Sequence, residues 1–213
     1  MRLVVLGKQG SGKGTQCVLL SRYFAVPHIS TGDMLRAAVK ANTPVGVKVR
    51  ETLEGGGLIS DDIVTDVVAS RLSEDDVRSQ GFILDGFPRT VAQAEMLEEM
   101  LRPMELDRAI ELDVPTEQTV RRLAARRVCS DCGAIYSTHK PPKFNWTCDV
   151  CGGEVVQRKD DKEEFIRRRL VLYEKETLPV AQWYEARSYL LRVNGAGTPE
   201  AVLKRIQKAL SRR

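Results

Sequence analysis

The sequence has very little histidine and no long apolar segment. Its two histidines, His28 and His139, form neither a dyad nor a triad pattern, so both are interpreted as structural or surface residues. No apolar run approaches the roughly 20 residues needed to cross a bilayer. The first residues also lack the basic start, the longer apolar stretch and the cleavage site of a secretory signal. We therefore expect a cytoplasmic location and no membrane partner.

A large excess of charge of one sign is also missing. The 33 basic residues face 29 acidic ones, and the formal net charge of +4 is weak support for a nucleic-acid partner. The hydrophobic fraction of 42% and the charged fraction of 29% are ordinary for a globular protein. The 213 residues suit one α/β domain with insertions. We expect a monomer that does not bind nucleic acid.

Predicted strands alternate with predicted helices along the chain. Strands are predicted at residues 3–6, 81–84, 109–114 and 189–193. Helices are predicted at residues 14–24, 34–40, 45–54, 61–72, 90–101, 116–127 and 162–187, with a last one after Thr198. Ser60 is expected to cap one of these helices and Pro179 to bend another. The alternation predicts an α/β fold, a parallel sheet flanked by helices, with residues 128–159 as a small insertion.

A glycine-rich loop follows the first predicted strand and precedes a helix. Gly7, Gly12 and Lys13 match the pattern G-x-x-x-x-G-K, and the usual hydroxyl after the lysine is displaced to Thr15. Glycines let backbone N–H groups surround a phosphate, while the helix N-terminus and the lysine add positive charge. An accidental glycine-rich turn is the alternative, but the flanking strand and helix favour a phosphate loop. Its predicted phosphate-binding residues are Gly10, Ser11, Gly12, Lys13, Gly14 and Thr15.

Further motifs occur in the order in which adenylate kinases carry them. Gly-Lys-Gly-Thr-Gln at 12–16 is followed by Ser-Thr-Gly-Asp-Met-Leu-Arg at 30–36 and Asp-Gly-Phe-Pro-Arg-Thr at 85–90. Arg126-Arg127 and Asp160-Asp161, with Arg169 beyond them, complete the series. The sequence thus resembles adenylate kinases over essentially its whole length. The resemblance implies a P-loop nucleoside monophosphate kinase fold with a core (1–29, 60–121 and 160–213), an AMP-binding arm (30–59) and a lid (122–159).

The resemblance also implies which residues bind AMP. They are Thr31, Arg36, Gly86, Arg89, Gln93, Arg158 and Arg169. Two arginines can fork onto one phosphate, and the amide of Gln93 carries the paired donor and acceptor that an adenine edge requires. In the family, Thr31 and Gln93 favour AMP over UMP or CMP. Without the family context, Thr31 could equally be a helix cap and Gln93 a solvated side chain.

Arginines on both sides of the insertion are expected to clamp phosphates. Arg122 and Arg126 are four residues apart and so share a helical face. Arginine-rich helices are usually solvated. The resemblance, however, implies that these two arginines clamp phosphates and bind ATP. The implied catalytic residues are Lys13, Arg89, Arg126, Arg158, Arg169, Asp160 and Asp161. The two aspartates of this set fit a role in orienting arginines and linking the lid to the core.

Asp85 follows a predicted strand whose end faces the same sheet edge as the phosphate loop. An aspartate at such a place is often only a turn residue. Beside a phosphate loop, its carboxylate is better interpreted as a ligand of Mg²⁺, through water or directly. The predicted cofactors therefore include Mg²⁺, which arrives with ATP.

Four of the five cysteines form two identical C-x-x-C pairs. They are Cys129, Cys132, Cys148 and Cys151, and each pair is followed by a glycine, Gly133 or Gly152. Four thiolates at this spacing predict a closed, tetrahedral, structural Zn²⁺ site that supplies folding energy to a small lid. Free cysteines or disulfides are the alternative, and His139 is a candidate competing ligand. The resemblance is to the zinc-bearing branch of the family, and Cys17 is interpreted as a core residue.

The predicted reaction is reversible phosphoryl transfer from Mg-ATP to AMP, giving two ADP, with adenine nucleotide homeostasis as the implied role. The acceptor is a phosphate monoester that is already ionised at neutral pH, so no general base is required. Three alternatives remain: another monophosphate kinase, a nucleotide-gated binding module without turnover, and a zinc-ribbon nucleic-acid binder. The last would use Tyr136, Phe144 and Trp146 to stack on bases.

Overall fold

The computed structural model describes residues 1–211. Eight strands are formed within these residues: β1 Arg2–Leu6, β2 His28–Ser30, β3 Phe82–Asp85, β4 Arg108–Asp113, β5 Arg126–Cys129, β6 Ile135–Ser137, β7 Val155–Val156 and β8 Leu190–Asn194. The α-helices in the same range are α1 Lys13–Phe24, α2 Thr31–Lys40, α3 Pro44–Glu54, α4 Asp61–Leu72, α5 Asp75–Gln80, α6 Val91–Leu101, α7 Thr116–Ala125, α8 Glu163–Leu172, α9 Leu178–Ala186 and α10 Pro199–Leu210. None of these helices is both long and apolar enough to span a membrane.

Five strands form a central sheet in the order β2-β3-β1-β4-β8, and every neighbouring pair is parallel. Successive strand residues point to opposite faces, so each face has its own buried core. Val4 and Leu6 pack with side chains of α2, α4, α6 and α9. Leu3 and Val5 pack on the other face with side chains of α1 and α10. The predicted fold class, a parallel sheet flanked by helices, is confirmed.

A second sheet is antiparallel and has the order β6-β5-β7. It lies within residues 122–159, the segment called the lid. The helix predicted at 116–127 ends before Arg126, because that residue instead pairs with Ser137 at the start of this sheet. A strand partner here overrides the helical pattern of the sequence.

The long helix predicted at 162–187 is interrupted, but not by a bend at Pro179. A π-helical turn, Tyr173–Thr177, separates α8 from α9. Pro179 lies in the first turn of α9, where a missing N–H leaves no helical hydrogen bond unmade. The irregularity therefore belongs to the π turn, where the buried Tyr173 hydroxyl lies 3.3 Å from Glu111 Oε1.

Two elements and one cap differ from the sequence prediction. Strand β2 and helix α5 are not predicted, because three and six residues are too few to display a period. Ser60 does precede α4, but its side chain accepts no capping hydrogen bond. The two acids that follow it, Asp61 and Asp62, still place negative charge at the positive end of the helix dipole.

Candidate active site

A cleft of about 500 Å³ lies at the carboxyl ends of β1 and β3, between the phosphate loop, the arm and the lid. Every residue predicted to bind ATP or AMP lines this cleft, as do Asp85 and Asp160, whereas Asp161 lies behind it. The lining cations are Lys13, Arg36, Arg89, Arg122, Arg126, Arg158 and Arg169. The lining carboxylates are Asp33, Asp61, Asp85 and Asp160. This excess of cations suits a ligand that carries several negative charges.

The phosphate loop packs against the helix that leads to the lid. A Cβ at Gly10 would lie 2.6 Å from the backbone oxygen of Thr119, so only glycine allows this approach. Gly12, with a φ of 101°, is the N-cap of α1 and places the start of that helix at the cleft. The Lys13 ammonium donates to the backbone oxygens of Gly7 at 2.6 Å and Lys8 at 3.0 Å. The loop thus holds this cation in place.

The charge of Lys13 is poorly compensated in the protein alone. Burial lowers the pKa of its amine to about 8, although the negative charge of Asp85 opposes that shift. Asp85 ends β3 with its side chain 14% exposed, and it lines the same cleft. An anion that approaches the loop would therefore stabilise the protonated form of this lysine. The site is therefore prepared for phosphate.

Gln93 is held by a network that the sequence does not reveal. Its Oε1 accepts the backbone N–H of Arg89 at 2.8 Å, and its Nε2 donates to Asp61 Oδ1 at 2.6 Å. Asp61 also accepts the hydroxyl of Thr90 at 3.0 Å. One N–H and one lone pair of the Gln93 amide remain available, which is the pair that an adenine edge needs. Asp61 therefore positions Gln93.

The arm closes the opposite side of the cleft. The Thr31 hydroxyl donates to the backbone oxygen of Asp85 at 3.2 Å. A Cβ at Gly86 would lie 2.7 Å from that hydroxyl oxygen, and the φ of Gly86 is +85°, so a larger residue does not fit there. Arg36 pairs with Asp33 at 2.5 Å, one turn apart on α2. Thr31 and Arg36 therefore lie beside the end of β3.

Asp161 joins two of the predicted catalytic arginines. It accepts two hydrogen bonds from Arg126, at 2.6 and 2.7 Å, and one from Arg169 at 2.9 Å. Its side chain is fully buried. Burial raises its pKa, but hydrogen bonds and charges from the two arginines outweigh burial and hold that pKa below its usual value. Asp160 accepts a further bond from Arg169 at 2.7 Å.

Arg158 is a half-buried cation and Arg169 a buried one, and both have spare donors. The Nε of each is buried and finds no hydrogen-bond partner in residues 1–211. Burial, and then the positive charges of Arg36 and Arg126, lower the pKa of Arg158 to about 10. Among the residues that the structure describes, its one carboxylate partner is Asp33, 3.5 Å away. Crowded guanidinium groups with unused donors are expected where an anionic ligand completes the arrangement.

Arg122 connects the phosphate loop to the segment after β8. Its guanidinium donates to the backbone oxygens of Ser11 at 3.2 Å and Gly195 at 3.5 Å. Gly195 and Gly197 both line the cleft. The backbone of this segment is therefore adjacent to the phosphate loop.

The two C-x-x-C pairs come together at one end of the lid. The Sγ atoms of Cys129, Cys132, Cys148 and Cys151 all lie within 4.8 Å of one another, and two pairs are 3.4 and 3.6 Å apart. A tetrahedral ion with bonds of about 2.3 Å places its sulfurs roughly 3.8 Å apart. Gly133 and Gly152 both have positive φ, +73° and +78°, which turns the backbone around the sulfurs. His139 is outside this cluster and lines the cleft.

Comparisons with known proteins agree with this geometry. A sequence profile of the family described as adenylate kinase matches residues 5–189. The adenylate kinase of Trichlorobacter lovleyi is 48% identical over 213 residues, which is 99% of each chain. Those of Acetivibrio thermocellus and Caldicellulosiruptor bescii are 46% and 44% identical over 99% of this chain and 98% and 99% of their own. Because these relatives match over nearly the full length, the predicted resemblance is confirmed, and this chain belongs to the adenylate kinase family.

Proposed function

We propose that this cleft carries out reversible phosphoryl transfer from Mg-ATP to AMP, giving two ADP, with adenine nucleotide balance as its role. The observation that carries the proposal is that one cleft is lined by two sets of cations from different parts of the chain. Lys13 and Arg122 lie at the phosphate loop, whereas Arg36 lies on the arm and Arg89 lies in the segment after β3. A protein that only bound one nucleotide would have no need of the second set.

The ATP side is assigned to the phosphate loop. Its N–H groups and Lys13 hold the ATP phosphates, and Arg122 joins them from α7. Asp85 would hold the Mg²⁺ of Mg-ATP, through water or directly, and that ion would supply positive charge to the phosphates. The backbone at Gly195 and Gly197 supplies the wall beside the adenine.

The AMP side is assigned to the arm and the segment after β3. Arg36 and Arg89 hold the AMP phosphate, the Gln93 amide reads the adenine edge, and Thr31 and Gly86 shape the wall between them. Burial keeps the pKa of Arg89 below its ordinary value, although the negative charge of Asp85 opposes that shift. A bound phosphate would offset the cost of burying this positive charge.

Arg126, Arg158 and Arg169 are assigned to the phosphoryl group in transit. Charge in the transition state spreads over the oxygens of that group, so fixed cations with spare donors stabilise it more than the reactants. The AMP phosphate is an ionised nucleophile, so none of these residues removes a proton. Asp160 and Asp161 hold the arginines at the required angle.

We assign the lid a role in excluding water from the cleft. The proposed bounds of the lid are residues 122–159, and those of the arm are residues 30–59. Lid and arm touch through Lys40–Asp131 at 3.0 Å and Lys159–Glu54 at 2.8 Å. Exposed ion pairs of this kind are weak, so they permit opening for nucleotide exchange. We propose that the chain works as a monomer in the cytoplasm.

The four lid cysteines are proposed to hold a structural Zn²⁺. Backbone N–H groups of Asp131 and Val150 lie 3.4 Å from the sulfurs of Cys129 and Cys148, as expected for sulfurs that carry negative charge. When bound, the ion crosslinks the two halves of the lid, whose own apolar cluster is small.

A coupled assay with a panel of monophosphates tests the proposal. With Mg-ATP as donor, we expect kcat/KM for AMP to exceed that for CMP or UMP at least about 100-fold. A base with the wrong hydrogen-bonding edge would leave polar groups of the base site unpaired. Gln93→Ala should raise KM for AMP and leave KM for Mg-ATP unchanged. Preferred use of another monophosphate would favour the alternative kinase, and nucleotide binding without any turnover would favour the binding module.

The lowered pKa of Lys13 predicts a basic limb in the pH profile. The phosphates of ATP bind the protonated amine, so kcat/KM for Mg-ATP should fall above about pH 8, by about tenfold per pH unit. Bound phosphate raises the pKa of that amine, so kcat should persist to higher pH. Initial rates between pH 6.5 and 10 measure both. A kcat/KM that is flat to pH 9.5 would contradict the prediction.

Loss of one lid thiolate should remove the metal and destabilise the chain. Cys129→Ala is expected to be purified without stoichiometric zinc and to unfold about 5–10 °C lower, at about 3 °C per kcal/mol for a chain of this size. His139→Ala is the matched control, since His139 is in the lid but outside the cysteine cluster. Zinc analysis and thermal unfolding test both, and equal zinc contents in the two variants would contradict the assignment.

A further inference from the structure

A second cluster of metal-ligating side chains lies beneath the phosphate loop, apart from the lid cysteines. Cys17 of α1, His28 at the start of β2 and Asp85 at the end of β3 each place one ligand atom within 4.8 Å of the other two. His28 Nε2 and Asp85 Oδ2 are 3.8 Å apart, too far for a hydrogen bond between them. These three residues come from three adjacent elements of the core.

His28 supplies an independent reason to expect a ligand. Its Nε2 is buried and makes no hydrogen bond to any group in the described part of the chain. A buried polar atom without a partner costs about 1–3 kcal/mol and calls for an explanation. Cys17 is fully buried beside it, while Asp85 is 14% exposed and lines the cleft. An ion could therefore enter from the cleft and reach all three residues.

We propose that Cys17, His28 and Asp85 form a site for a divalent transition-metal ion of the zinc class, and that its occupancy inhibits turnover. One sulfur, one nitrogen and one oxygen donor suit such an ion, whereas Mg²⁺ prefers oxygen donors only. Three protein ligands leave a fourth position for water. As the metal–sulfur bond forms, the Cys17 thiol releases its proton to solvent, so that thiolate and carboxylate together balance the charge of the ion.

Inhibition follows from the double use of Asp85, and this part rests on the proposed function. A carboxylate that binds the inhibitory ion is not free to hold the Mg²⁺ of Mg-ATP. The ion also adds positive charge near Lys13, whose electrostatic interactions include both Asp85 and Cys17. Raising the concentration of Mg-ATP should therefore relieve the inhibition. The proposed lid zinc is a separate, structural ion.

A cobalt titration tests binding without reference to activity. Protein loaded with one zinc per chain is titrated with Co²⁺, and a thiolate-to-cobalt absorption band is expected as a second equivalent binds. Cys17→Ala should lose this band, and His28→Gln should weaken cobalt binding by at least about tenfold, since loss of an outer partner alone costs about 10–100-fold. All three proteins keep the lid cysteines, so identical titrations would mean exchange at the lid and would overturn the proposal. Should Cys17→Ala fail to fold, the His28→Gln comparison still decides it.

Inhibition by added zinc tests whether occupancy of this site inhibits turnover. Zn²⁺ added beyond the lid equivalent should inhibit the parent at a concentration at least about tenfold lower than Cys17→Ala, matching the loss of a direct ligand. Without added zinc the two should have equal activity, because Cys17 packs in the core and does not line the cleft. Equal inhibition of both proteins would overturn the inhibitory role. If the parent showed no turnover at all, the proposed function would fail, while the cobalt titration would still decide the site.

Discussion

Replacement of Lys13 by alanine is expected to lower kcat by about 10³-fold or more and to leave the fold intact. Removal of a single preorganised donor typically costs about 10²–10³-fold, and Lys13 is proposed to place a full charge at the donor phosphates. Its ammonium bonds only to the backbone oxygens of Gly7 and Lys8, among residues 1–211. Gly7 lines the cleft, so its freed backbone oxygen can bond to water in the variant.

Stability should not fall with this substitution, because the folded protein already disfavours the charged amine. Burial lowers its pKa to about 8, so the charged form gives up stability at neutral pH and Lys13→Ala removes that penalty. The control is Lys8→Ala, because Lys8 is in the same loop but does not line the cleft. Its amine donates to Thr116 Oγ1 at 2.6 Å. Its activity should stay within about threefold of the parent. Steady-state rates and thermal unfolding of both variants test this, and more than a tenth of the parental rate in Lys13→Ala would contradict it.

The parts of the site that the sequence predicts are those encoded by short, contiguous patterns. The phosphate loop, the C-x-x-C pairs and the acid after β3 each depend on residues that are neighbours in the chain. Strand, loop and helix then follow from local propensity, and the carboxyl ends of parallel strands meet at one edge. For this reason the predicted nucleotide-binding residues were found to line one cleft.

What the sequence does not predict depends on contacts between distant residues. Asp61 meets Gln93 across 32 positions, and no pattern in either helix indicates that hydrogen bond. Arg126 fits a helical period but joins a strand, because β6 offers its backbone a partner. Similarly, the cluster of Cys17, His28 and Asp85 needs the order of the sheet, in which β3 lies between β1 and β2. In these cases contacts between residues that are distant in the sequence override local secondary-structure propensity.

Replacement of Asp161 by asparagine should have the second largest effect, on both stability and activity. The carboxylate is the only ion-pair partner of Arg126 in the described residues and one of two for Arg169. Asparagine keeps the shape but has one acceptor oxygen and presents N–H groups toward a guanidinium. Breaking a buried pair on one side costs about 3–5 kcal/mol, so the unfolding temperature should fall by about 9–15 °C. This loss is present at neutral pH and vanishes in acid, where the carboxylate of the parent is itself protonated.

Activity should fall because two arginines lose their orientation, although Asp161 itself does not line the cleft. A displacement of about 1 Å can cost about 10²-fold, and we expect a loss of that order in kcat with a smaller change in either KM. Glu163→Gln is the matched control, since it breaks an exposed pair with Arg167 whose side chains are 72% and 74% accessible. That variant should stay within about 0.5 kcal/mol of the parent. A double-mutant cycle with Arg126→Met separates the two explanations. If Asp161 acts by positioning Arg126, the two substitutions should lower kcat far less than additively, whereas additive losses would mean that Asp161 does not act through Arg126.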